Sequence, residues 1–512
     1  MRKSKIIVAA FAMLIGNAEL AQAAWVKAET PNFRIYSEGK PEQLKEYALL
    51  LEEYDQLLRM MTNTTAPPSP NKLDIYLVGN NSELRAVRPV SQNVGGFYSA
   101  TAGAIAAFAI RRNMGGIDGL EVLQHEYAHH FMMQYYPGAY PGWYVEGFAE
   151  FMMTANITDE FTEVGNFNRD RALWLSNSAW VPTEYILEGD PGKLDGVGTS
   201  MFYSQSWLMV HWAFSKEMRG KALRGYLAAR AKGETGVEVL TREMGMDYRM
   251  FHRALKAYAD GRIGFLRFAR QSKQAPIEVA MTPLSPAADD ILLTAAGLSL
   301  GVDEKRGPAV LARIRDGAKR HAGDPMAITA LAEAEIDFGD HAAGTAMLDK
   351  LIADGAKDAR TLFLRGYADL TKARRLEGEA RAPHYAAARK WFARTFRVDQ
   401  NYVPALWGYV ECFGDKPLDD NTLNVLLHAQ ALAPQVDSLR MNAAVAFLRR
   451  KEFDRATRMI TPLAADPHGG KMAKLAGHLL DKAKARSFSE ADLKTGEEDV
   501  GVAAKGRGDG KS

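Results

Sequence analysis

The chain has 512 residues, 47% apolar and 25% charged, a globular composition that excludes wholesale disorder, a collagen-like chain and a polytopic membrane protein, and its length calls for more than one core. With 64 Lys plus Arg against 62 Asp plus Glu, the formal charge of +2 gives no sign of nucleic acid as a partner. The single cysteine, Cys412, rules out an internal disulfide and a cysteine zinc site.

Residues 1–23 have the pattern of a secretory signal peptide: Arg2, Lys3 and Lys5, an apolar run over 6–15, and the small-residue site Ala21-Gln22-Ala23 before Ala24. The run falls short of the roughly 20 apolar residues that a spanning helix needs. The segment takes three basic residues and one acidic with it, leaving 61 of each in residues 24–512. A soluble exported protein, periplasmic or secreted, with no membrane span after cleavage, is the expectation.

Residues 24–270 are mixed in texture. Residues 32–36 and 72–77 alternate polar and apolar side chains and predict half-buried strands, while 42–61 carry Leu and Tyr at helical spacing. Residues 62–71 are rich in Thr, Pro and Asn and read as a loop. Residues 103–110 (GAIAAFAI), after Gly95-Gly96, suit a strand of small residues, and helices follow from about 118 to about 260. Residues 271–285, with Pro276 and Pro283, read as a linker. Residues 286–485 are rich in Ala and Leu and helical throughout, and the charged, glycine-rich 486–512 predict a disordered tail.

The helical half has a period. Gln400 to Pro434 is 34 residues and Pro434 to Pro467 is 33, and Pro325 ends an earlier unit. Gly408 and Asn442 stand where a first helix should approach its neighbour closely. Ala388, Phe392 and Phe396, and later Ala456 and Ile460, have second-helix spacing. The pattern resembles a tetratricopeptide repeat array of about five helix pairs, with Gln400 where the repeat usually has proline and an insertion near 374–383. That resemblance implies a protein partner or substrate held by the repeats; the other reading of the same residues is a generic helical bundle.

The chemistry lies in His125-Glu126-Tyr127-Ala128-His129. Asp118 with Glu121 predicts a helix start, Pro137-Gly138 its end, and Leu120, Leu123, Tyr127, Phe131 and Tyr135 its core stripe. His125 and His129 are one turn apart on one face, so two imidazoles can hold one zinc ion, with Glu126 placed to take a proton from a water on it. The same three residues would also suit a solvated surface helix, and a third ligand separates the two. Glu146, in the run PGWYVEGFAE over 141–150, is the candidate, since a turn can bring the second helix back beside the first. Glu150, one turn further on the same face, could accept the free ring N–H of a ligand histidine; alternatively it lies on a solvated acidic face.

HEYAH followed by WYVEGFAE resembles the gluzincin zinc metallopeptidases, and the form with helical repeats behind it resembles the peptidase-MA-like proteins. The resemblance implies an α+β thermolysin-like domain over roughly residues 30–265, followed here by the all-α tetratricopeptide-like repeats. It further implies His125, His129 and Glu146 as zinc ligands and Glu126 as general base, with a peptide or protein as substrate. The glycine-rich exopeptidase motif of aminopeptidase-N-like relatives is missing, since Gly115-Gly116 lack its accompanying pattern. By the same resemblance Tyr203 is the candidate donor to the oxyanion, although Tyr203, Trp207 and Phe214 at helical spacing also suit simple packing. The resemblance makes the strand 103–110 an edge for pairing with extended substrate; the plain alternative is a buried strand. His211 reads as a satisfied core histidine, His130 points away from the metal, and Cys412 is a buried structural thiol. The function expected is an exported zinc peptidase whose repeats recruit a partner or substrate; the alternative is an inactive peptidase-like scaffold used as a binding module.

Overall fold

The structure is a computed structural model that describes residues 25–92, 94–111, 119–269, 276–414, 416–467 and 469–494. The expected signal segment, Asp118, Gly115-Gly116 and residues 495–512 of the expected tail lie outside the described residues, whereas residues 486–494 of that tail are described and packed, with Phe488 and Leu493 on a helical core cluster and Glu490 paired to Arg449.

Strands β1 (Trp25–Glu29), β2 (Phe33–Glu38), β3 (Leu73–Val78), β4 (Gly96–Ala100) and β5 (Ile105–Ile110) form most of one mixed sheet. Three short strands, β6 (Asn156–Ile157), β7 (Phe161–Val164) and β8 (Leu266–Ala269), make a separate antiparallel sheet. The ninth, β9 (Ala280–Pro283), lies inside the segment read as a linker and pairs with β1, completing the large sheet in the order β4-β5-β3-β2-β1-β9. The β2/β3 and β3/β5 pairs are parallel and the β4/β5 pair is antiparallel. The expected edge position of 103–110 is therefore corrected: β5 lies between β3 and β4 and every residue in it is buried, while β4 holds the edge. Ala107 packs in the core on one face of the sheet, while half-buried Ala104 and buried Ala106 line a cavity of about 600 Å³ on the other face.

Helices α1 (Pro41–Thr62), α2 (Asn81–Val87), α3 (Gly119–Tyr135), α4 (Gly142–Met152), α5 (Arg169–Asn177), α6 (Thr183–Glu188), α7 (Gly196–Phe214), α8 (Glu217–Ala231), α9 (Val237–Met244) and α10 (Tyr248–Ala259) complete the first half. Strand alternation sends Phe33, Ile35, Ile75, Leu77, Ala107 and Ala109 into one core with α1, α3, α4 and α7. Two buried hydrogen bonds pin α1 to α3: Tyr54 OH donates to Gln124 O at 2.9 Å and Tyr127 OH to Asp55 Oδ1 at 2.7 Å. The other face carries a ladder of rings from directly opposed residues: Tyr36 on Tyr76 at 4.7 Å, Tyr76 on Phe108 at 4.8 Å and Phe108 on Phe97 at 4.8 Å, with the Arg88 guanidinium 3.9 Å above Phe97.

The second half is helical: α11 (Ala288–Leu300), α12 (Gly307–Arg320), α13 (Pro325–Phe338), α14 (His341–Ala353), α15 (Ala359–Arg375), α16 (Arg381–Val398), α17 (Val403–Glu411), α18 (Asp420–Leu432), α19 (Asp437–Arg449), α20 (Phe453–Ala464) and α21 (Gly470–Lys484). Each helix packs on the next. Gln400, Pro434 and Pro467 fall between helices, as their spacing predicts, and Pro325 opens α13. Gly408 is a close approach, since a Cβ there would come within 2.7 Å of the Phe392 ring. Asn442 is not: it is exposed and donates to Ser438 O within its own helix. Phe396, read as a second-helix core position with Ala388 and Phe392, is instead 39% exposed. Cys412 is buried and donates to Gly408 O, and burial pushes its thiol up to about 12. No helix among the described residues is long and apolar enough to cross a membrane.

The two halves share their cores. Ala288, Leu292, Ala296 and Leu300 of α11 pack with the ring ladder. Leu406, Leu426, Val436 and Leu439 join the core that holds α3 and α4. Between α18 and α19, Gln435 Nε2 donates to Gln134 Oε1 at 2.7 Å and lies 3.3 Å from His130 Nε2. Asp437, two residues on at the start of α19, has its carboxyl pushed up to about 7 by burial and by the Asp466 charge, against Arg440. A carboxyl raised in the fold is stable there when protonated, so the penalty is absent near pH 4 and grows as pH rises through about 7. Asp437→Asn is therefore expected to raise the melting temperature at pH 8, by up to about 4 kcal/mol of stability, and to change it little at pH 4. Equal effects at both pH values in thermal melts would contradict the assignment.

Candidate metal centre

Helix α3 runs through the shared core on Leu123, Tyr127, Ala128 and Phe131, which leaves His125, Glu126 and His129 on its less buried side. Residues 136–141 turn the chain, and α4 returns beside α3 with Glu146 and Glu150 each 1% exposed. The His125 and His129 Nε2 atoms are 3.1 Å apart, and Glu146 Oε2 lies 3.5 Å from the first and 3.6 Å from the second. These three form the one potential metal-binding group of three or more His, Cys, Asp or Glu side chains found among the described residues.

The donor set fits zinc. Tetrahedral bonds of roughly 2.0–2.2 Å place ligand atoms about 3.3–3.6 Å apart, close to the observed triangle. Two imidazole nitrogens and a carboxylate oxygen converge on one point, where a divalent cation could accept a lone pair from each. Glu150 Oε1 stands 3.5 Å from His125 Nδ1, an ion-pair distance on the far side of the ring from Glu146. That carboxylate favours a proton on Nδ1 and leaves Nε2 free to bind a metal. Burial disfavours a charged His125, but the Glu146 hydrogen bond and the Glu150, Glu146 and Glu126 charges outweigh it and raise its pKa in the metal-free chain.

Glu126 is half-buried, and its charge acts on His125, Tyr98, Tyr203 and Arg88. Tyr203 lies two turns into α7, half-buried, where burial and then the Glu146 and Glu150 charges raise its pKa and keep the phenol protonated. His211 and His130 are engaged elsewhere. His211 is held by Tyr258 OH at 2.8 Å and by Gly165 O at 2.8 Å. His130 lies 3.0 Å from Tyr98 OH and is pushed down to about 3 by burial.

Two features escaped the sequence. Arg171, on α5, grips Glu150 with two hydrogen bonds, Nη2 to Oε1 at 2.6 Å and Nε to Oε2 at 2.7 Å. No motif spacing announces it, because it comes from a helix 21 residues on. The helical half also walls the site: beside His129 a cavity of about 70 Å³ is lined by Met132 and Tyr140 and by Pro434, Arg440 and Pro467.

No protein-family model matches the chain, and no curated protein does. Among solved structures, a thermophilic TPR protein from Thermus thermophilus is similar over 42% of this chain and 98% of that one, at 18% identity and a TM-score of 0.30.

Proposed function

We propose that this chain is a zinc-dependent peptidase of gluzincin type. The observation that carries the proposal is the convergence of His125 Nε2, His129 Nε2 and Glu146 Oε2 within 3.6 Å of one another, with Glu126 next in chain to the first. Zinc held there would supply a Lewis acid that polarises a peptide carbonyl and acidifies a water. Glu126 takes the proton of the attacking water and passes it to the leaving amine. Tyr203, kept protonated by its surroundings, donates to the oxyanion as it forms. Strand β4 ends the sheet among the described residues, a position where an extended peptide would pair through its backbone, a mode that tolerates many side chains.

The helical half, read as tetratricopeptide-like, would hold a protein partner or bring substrate to the cleft, whose wall it helps to form. Export to the periplasm or beyond is part of this reading, on the strength of residues 1–23. The test is metal analysis followed by digestion of a peptide library with and without chelator. One equivalent of zinc with chelator-sensitive cleavage supports the peptidase. Bound zinc without cleavage of any peptide points to the scaffold alternative, and absence of zinc removes both the metal centre and the mechanism.

A further inference from the structure

We propose that Arg171 is a positioning residue of the metal centre, fixing the Glu150 carboxylate and through it the His125 ring. The inference rests on the zinc reading of His125, His129 and Glu146.

Glu150 is 1% exposed and stands 3.5 Å from His125 Nδ1. A lone carboxylate there could rotate about its last torsion, presenting either oxygen or turning away. The Arg171 fork removes that freedom. Its two parallel N–H donors, at 2.6 and 2.7 Å, hold both oxygens and so fix the carboxylate plane, leaving Oε1 aimed at the ring nitrogen as well. Arg171 is itself anchored, since its backbone N–H donates to the Asn168 side chain that caps α5, at 3.1 Å. Its guanidinium also lies 5.4 Å from the Tyr203 ring centroid, so one side chain braces both the ligand's neighbour and the candidate oxyanion donor.

Charge supports the same role. Glu126, Glu146 and Glu150 all act on His125, a concentration of negative charge against one divalent ion. Arg171 sets its positive charge against Glu150, and its fork holds that carboxylate on the Nδ1 side of the His125 ring, away from the three candidate ligand atoms. Lysine cannot reproduce the effect fully, because a single ammonium has no fork.

The test measures zinc affinity of the full chain by competition with a chromophoric chelator, beside thermal melts of the metal-free protein. Arg171→Met is expected to weaken zinc binding by about 10–100-fold, Arg171→Lys by less, and Glu150→Gln by about as much as Arg171→Met. The double variant should bind zinc no more weakly than Glu150→Gln alone, since both changes break one chain of contacts. Unchanged affinity in Arg171→Met, with or without a lower melting temperature, overturns the inference, as do losses that add in the double variant. Should Arg171→Met fail to fold, Arg171→Lys decides: weaker zinc binding supports the inference and wild-type affinity overturns it. A wild-type chain that binds no zinc would overturn the zinc reading itself, a result distinguishable from any of these.

Discussion

Replacing Glu126 by Gln is expected to lower peptide hydrolysis by a factor of about 10²–10⁴ while zinc stays bound. The amide keeps the size of the carboxylate and its place beside His125 but cannot accept a proton from water at neutral pH. The three proposed ligands are untouched, so metal content should match the wild type. The check is kcat/KM on a cleavable peptide together with zinc per chain, measured on one preparation. A variant that cleaves at the normal rate with normal zinc would mean that another group takes the proton. A variant without zinc would mean that Glu126 belongs to the ligand set, and the roles along α3 would need to be reassigned.

The second large effect is expected at Gly147. A Cβ at this position would come within 2.3 Å of Ser206 O and 2.8 Å of a Val210 methyl on α7, so α4 and α7 touch backbone to backbone there. Gly147→Ala should force the two helices apart and cost about 1–3 kcal/mol of stability. The sign is informative. Alanine favours a helix over glycine by about 1 kcal/mol, so a residue that merely occupied a helix would gain stability from the change. Because Glu146 adjoins the contact, moving α4 also moves the proposed third ligand, and zinc binding should weaken together with the melting temperature. Melting of the metal-free protein and chelator competition measure the two effects separately; a stabilised variant with full zinc affinity would contradict the packing argument.

These expectations differ in how much of them could be read from the residues. His125 and His129 sit one helical turn apart by local geometry alone, and any α3 helix puts them on one side. That Glu146 would meet them was an inference from turn residues at 137–142, and the meeting itself depends on α4 packing against α7 through Gly147. Arg171 was invisible because its partnership with Glu150 crosses from α5, and no periodicity relates two positions 21 apart in separate helices. The sheet was half legible. Alternation marked β2 and β3, but which strand holds the edge depends on partners elsewhere in the chain, and β4 is too short and too mixed to announce itself. The linker reading of 271–285 followed its prolines, and the structure places four of those residues in the sheet as β9, where an edge strand tolerates a proline.

By itself the sequence determined what is local: the spacing of two imidazoles and the amphipathic helices of the second half with their near 34-residue rhythm. The tertiary structure alone decided what depends on distant segments meeting. It brought Glu146 to the histidines and Arg171 to Glu150, stacked four rings across four strands, and set Gln435 of the helical half against α3. The physical reason is that helix periodicity acts over a few neighbouring residues, whereas a coordination site and a shared core are fixed by which faces find apolar surface to bury.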